Sequence, residues 1–110
     1  MKKRIKHKKS IMHQEPGECY LCNKLEKRHW THSYLETHHA FPGKPWRRIS
    51  EENGFTVRLC ARHHRNGPEA AHKNSKSLRL IQKDVQREYE KTHTREEWMK
   101  LMERNYLWDE

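Results

Sequence analysis

Long hydrophobic runs are missing from this sequence. No apolar stretch approaches the roughly 20 residues a helix needs to cross a bilayer, so no membrane span is expected. The first residues are basic, but no apolar segment follows them, so the pattern of a secretion signal is lacking. Cysteine is scarce. Cys19, Cys22 and Cys60 cannot pair evenly into disulfides, and free thiols belong to a reducing compartment, so a cytoplasmic location is expected. Apolar residues make up only 32% of the 110, against 35% charged, which limits the chain to one domain with a small core. Chains with so little to bury often lean on a metal or a disulfide to fold. Internal repeats and coiled-coil heptads are absent as well.

Positive charge is abundant: 24 Lys and Arg against 15 Asp and Glu give a formal net charge of +9. That excess favours a polyanionic partner, most simply nucleic acid. Residues 1–17 read as a flexible basic arm in which Lys2, Lys3 and Arg4 open a run of cations that reaches Lys9 with only Ile5 apolar among them. Such an arm either follows a phosphate backbone or only solubilises the terminus. Pro16-Gly17 closes it with a turn signal.

Histidine and cysteine then concentrate between Cys19 and His72. Cys19-x-x-Cys22 has the spacing that pinches a zinc ion between two thiolates; a redox pair is the other use of that spacing. No βαβ context surrounds it, and Cys60-x-x-His63 offers the two missing ligands of a closed structural Cys3His site. His63 and His64 are neighbours and either can serve, with the repeated spacing favouring His63. Residues 31–41 are strand-like, and Phe55, Val57 and Leu59 alternate with Thr56 and Arg58 as in a half-buried strand. Between them Pro42-Gly43 and Pro45 indicate a loop to about Gly54, carrying Arg47 and Arg48 as phosphate-contact candidates or as a solvated connection. A helix is expected to start near Pro68, with a longer one over Ser75–Glu90 and a last one opened by the capping box Thr94-x-x-Glu97. Leu78, Ile81, Val85 and Tyr89 share a face of the long helix, and Trp98, Leu101 and Met102 face the core from the last.

His38-His39 falls at the end of the first strand, where neighbouring side chains point to opposite sides. One can bind a metal while the other faces substrate. His38, His64 and His72 form a plausible imidazole cage, with His39 left free to take a proton from water. A divalent cation that polarises a phosphoryl oxygen, beside a neutral histidine, is enough to cut a phosphodiester.

C-x-x-C, then H-H, then L-C-x-x-H-H resembles the zinc-knuckle subgroup of the HNH, or ββα-metal, endonuclease family, in particular the small HNH proteins of bacteriophages and prophages. The likeness covers roughly residues 18–75, with residues 76–110 as a helical extension. It implies an α+β fold, a small ββα-metal domain stapled by a Cys3His zinc site. It implies a metal-dependent DNA endonuclease in a bacterial cytoplasm, with structural Zn2+ on Cys19, Cys22, Cys60 and His63. The catalytic ion, Mg2+, Mn2+, Ni2+ or Zn2+, would sit on His38, His64 and His72. By the same likeness His39 is the general base and Asn53 the nearest match to the family asparagine, with Asn66 and Asn74 further along. The family often has Asp where this chain has His38, and Cys where it has His63. Arg62 and Arg65 join the arginines that would contact phosphate. Double-stranded DNA is the expected partner, and a homodimer through the C-terminal helices would let two copies cut both strands. A reading from another class is a zinc-stabilised nucleic-acid-binding phage protein without catalytic activity.

Overall fold

A computed structural model describes residues 8–107. Lys2, Lys3, Arg4 and Trp108 lie outside the described residues.

The centre is a two-stranded antiparallel hairpin, β1 (Glu36–His39) against β2 (Thr56–Leu59). His38 lies opposite Val57 and His39 opposite Thr56. Alternation holds in part: Val57 and Leu59 are buried and Arg58 is exposed, but Thr56, expected on Arg58's side, is buried where Ser10 bonds its carbonyl; β1 buries His38. The first strand is shorter than the strand-like stretch, because residues 31–35 run outside the pairing.

The connection between the strands is a correction to the expected loop. It contains a helix, here α2 (Trp46–Asn53). Local breakers at Pro42, Gly43 and Pro45 end before it starts. Trp46 and Ile49 pack against the core, and buried Ser50 bonds the backbone of Phe41 at 3.3 and 3.4 Å. These tertiary contacts favour a turn of helix where propensity alone reads as loop. Gly54 ends α2 at φ 72°, its N–H on the Ser50 carbonyl. A Cβ there would lie 2.3 Å from the Lys9 carbonyl oxygen, so only glycine fits.

That approach has a cause. The described part of the expected arm, residues 8–17, is held against the hairpin. Ile11 donates to the Gly54 carbonyl at 2.9 Å, Ser10 to the Thr56 carbonyl, and Gln14 accepts from Arg58 N–H at 2.8 Å.

α1 (Tyr20–Glu26) precedes the hairpin, with Cys19 as its N-cap. So Cys19 and Cys22 sit on a helix start, not on a bare knuckle loop. After β2 the chain makes a π-helical turn, Arg62–Asn66, and then irregular turns; the helix expected from Pro68 does not form. α3 (Ser75–Tyr89) starts where Asn74 caps Lys76 and Ser77. α4 (Arg95–Met102) opens on the Thr94/Glu97 capping box. Ile81, Val85, Trp98 and Met102 are buried as expected, while Leu78, Tyr89 and Leu101 are half-buried. Phe41, Phe55, Tyr89, Trp98 and Tyr106 pack edge-on and tilted, with ring centroids 5.1–6.4 Å apart in the contacting pairs. Trp98 donates its indole N–H to the Arg104 carbonyl at 2.8 Å, which lets it be fully buried. Among the described residues no helix is long and apolar enough to cross a membrane.

Candidate metal centres

The start of α1 and the turn after β2 bring four side chains to one point. Cys19, Cys22, Cys60 and His63 are all buried, and their ligand atoms lie within 4.8 Å of one another. The three sulfurs stand 3.6, 3.4 and 3.5 Å from His63 Nδ1, and Cys22 Sγ is 3.9 Å from Cys60 Sγ. A tetrahedral ion with ordinary bond lengths has edges of about 3.5 Å between N and S and about 3.8 Å between S and S. The four side chains therefore have the dimensions of a metal site and can hold an ion, compatible with structural zinc. Burial pushes the Cys19 thiol up to about 12 and raises Cys22 also, so without a metal these thiols keep their protons.

The choice between the neighbouring histidines is resolved by direction. His63 joins the cysteines; His64 turns to the second group. Behind His63, Glu26 Oε2 stands 3.2 Å from Nε2, out of line for a hydrogen bond. Glu26 itself is gripped by Arg62 through two bonds of 2.7 and 2.8 Å, which hold its carboxyl down to about 2. Arg62, expected at a phosphate, is thus engaged within the protein.

His38, His64 and His72 form the second group. Their rings meet at centroid distances of 5.2, 5.2 and 4.6 Å, and His64 Nε2 lies 3.0 Å from His72 Nε2. With bonds of about 2.1 Å, two nitrogens at right angles on an ion would stand about 3.0 Å apart. Glu36 Oε1 holds His64 Nδ1 at 2.6 Å. That bond fixes the ring and leaves Nε2 for a ligand. Burial, then the neighbouring His64 and His72, pulls His38 down to about 3, and burial also lowers His72. His38 is therefore a neutral imidazole with a lone pair to give. Among the described residues, the buried side-chain nitrogens and oxygens without a hydrogen-bond partner are His38 Nε2 and His63 Nε2. His38 belongs to the histidine triad; His63 Nε2 lies on the side of its ring away from the cysteines, beside Glu26.

His39, next along β1, turns the other way. Its Nε2 bonds Glu51 Oε1 on α2 at 2.9 Å. The pair opens, with Arg47 and Arg58, onto a cleft of about 1140 Å³. Asn53 is not the side chain on His39. It donates to the Ile49 carbonyl of its own helix at 2.9 Å. Arg65 is exposed close enough to the triad for its charge to bear on His38 and His72. Arg47 and Arg48 are exposed on α2, Arg48 within 3.6 Å of Glu52.

Sequence reasoning missed three carboxylates, Glu26, Glu36 and Glu51. Glu36 was within reach, since it precedes His38 by two on a strand and so shares its face. Glu26 and Glu51 arrive through helices α1 and α2, and no local spacing announces them. No family model, curated protein or solved structure matches the chain.

Proposed function

We propose that this protein is a metal-dependent DNA endonuclease with a ββα-metal site of the HNH kind, stapled by structural zinc on Cys19, Cys22, Cys60 and His63. The observation that carries the reading is the division of labour at the end of β1. His38 joins His64 and His72 and carries an unpartnered buried Nε2, while His39, next along the strand, is held by a carboxylate.

His38, His64 and His72 would hold the divalent ion, which supplies polarisation of the scissile phosphoryl oxygen and neutralises charge on the leaving oxygen. An all-imidazole set leans towards late transition metals such as Ni2+ or Zn2+ over Mn2+ or Mg2+. His39, with Nε2–H directed at Glu51, keeps the Nδ1 lone pair for a proton from water. Glu51 then faces the imidazolium that proton uptake creates, the arrangement that steadies a general base. Arg65, beside the triad, and Arg47, on the cleft, are the arginines placed to meet phosphate.

The test is nicking of supercoiled plasmid at low salt with Mg2+, Mn2+, Ni2+ or chelator, with His39→Ala in parallel. Metal-dependent nicking should fall about 100-fold or more in the variant, the share a positioned base contributes, with DNA affinity retained. A wild type that shifts the plasmid on a gel and never cuts it under any of these ions would sink the enzyme reading and leave the zinc-stabilised binding module.

A further inference from the structure

The Cys22 sulfur has a neighbour outside the Cys3His group. His32 Nε2 lies 3.6 Å from Cys22 Sγ, the same distance as His63 Nδ1 from Cys19 Sγ. Yet His32 is not among the four side chains whose ligand atoms all lie within 4.8 Å of one another. It meets one corner of that group from outside.

The chain is built to bring it there. Lys27 ends α1 in the left-handed region at φ 55°, and the Arg28 N–H returns to the Cys22 carbonyl at 3.0 Å. The chain reverses, and the His32 N–H reaches the Gly17 carbonyl at 2.8 Å, just before the Cys19 cap. Gly17, at φ 81°, permits this close return, since a Cβ there would lie 2.6 Å from Thr31 Cγ2. Trp30 lies on the same return, half-exposed, with the Arg28 guanidinium carbon 4.6 Å from its ring centroid. Burial raises the Cys22 thiol, and the Trp30 indole N–H works against that rise.

Proton accounting decides what the His32 contact is. A sulfur bound to an ion has lost its proton and can only accept. The His32 ring is then the donor, with its hydrogen on Nε2. Three thiolates on one divalent ion leave the centre negative, and a donor to one of them disperses that charge. Cys19 takes the Cys22 backbone N–H at 3.5 Å; Cys22 takes a ring. A reactive Cys–His pair needs a sulfur open to solvent, and Cys22 is 1% exposed.

We propose that His32 is a positioning residue of the Cys3His centre, donating Nε2–H to the Cys22 thiolate and holding it on the ion. This role rests on the four side chains holding a metal and is independent of any cutting at the histidine triad.

The test loads the full chain with Co2+. The sulfur-to-cobalt charge-transfer band reports the cysteine centre alone, because His38, His64 and His72 carry no sulfur. His32→Phe and His32→Ala lack a donor. Both should hold Co2+ about 10-fold or more weakly against a competing chelator, the usual effect of removing an outer partner. Their band should also move to longer wavelength as the thiolate becomes richer in electrons. His32→Gln keeps an N–H and should stay close to wild type on both counts. Wild-type affinity and band in the Phe and Ala variants overturn the role. Equal weakening in all three variants assigns the effect to packing of the ring and overturns it too. Loss of the band in all three would make His32 a ligand instead of an outer donor. A wild type with no such band overturns the metal reading of the four side chains, and the role of His32 with it, whatever the plasmid assay shows.

Discussion

His64 stands between two partners, Glu36 on Nδ1 and His72 opposite Nε2. A ring held in this way presents its ligand atom in one direction and one tautomer, and the carboxylate makes it a better donor. The bond to His64 in turn holds the Glu36 carboxyl below the usual range. Replacing Glu36 with Gln keeps the size and removes the charge. Affinity for Mn2+ or Ni2+ at the triad should fall about 10- to 100-fold, the usual effect of removing such an outer partner, as read by isothermal titration of the zinc-loaded protein. Unchanged affinity would mean that His64 is oriented by its burial alone. Glu51 stands to His39 as Glu36 stands to His64, and each pair joins a histidine of the doublets to a carboxylate from elsewhere in the chain.

At the scale of elements, the Cys3His group joins α1 to the turn after β2, beside the Glu26–Arg62 ion pair that links the same two segments. α1 is seven residues long, too short to persist alone in water. Its N-cap is Cys19, whose sulfur accepts from Cys22 N–H at 3.5 Å, so the cap is itself one of the four candidate ligand atoms. Structural ions in small domains bring apparent binding energies of about 10 kcal/mol or more, which is folding energy. Removing the ion with a strong chelator, or making Cys22→Ser, should therefore abolish the cooperative thermal transition followed by circular dichroism and the near-ultraviolet signal of Trp98. A chelated protein that still melts cooperatively near the wild-type temperature would show that the aromatic core suffices. Much of that core, Phe41, Phe55 and Trp98, lies at the other end of the hairpin connection and in α4, so some helix signal from α3 should survive.

For the whole molecule, the buried histidine sets a pH dependence. His38 is pulled from an ordinary 6.5 to about 3. Between those values the unfolded chain takes up a proton that the folded chain refuses. Stability is then lost as pH falls through that window, with a slope of up to about 1.4 kcal/mol per pH unit for this one group, and is unaffected by it above about 6.5. Metal binding acts in the same direction, since protons compete for the same nitrogens. Urea unfolding at stepped pH should show the loss, and His38→Asn should flatten it by close to one proton. An identical slope in the variant would assign the acid sensitivity to the cysteine site. One such triad is present among the described residues, so under the endonuclease proposal a monomer should nick and a pair of copies would be needed to linearise.

The chemistry-bearing sets and the local punctuation were legible along the chain. Cys19, Cys22, Cys60 and His63 stood out from repeated spacing, His38 and His39 from strand alternation, and α3 and α4 from periodicity and the Thr94 capping box, because each is a relation between residues close in sequence. The rest depended on contacts between distant segments. They made a helix of the proline-bounded connection, because Trp46, Ile49 and Ser50 have partners on the core. They drew residues 10–14 along β2, where backbone groups of the hairpin edge await bonds. They turned His63 and His64 to different centres, and placed Glu26 behind His63 and Glu51 beside His39. These are long-range matters of direction and packing, and a pattern read along one chain carries no vector for them.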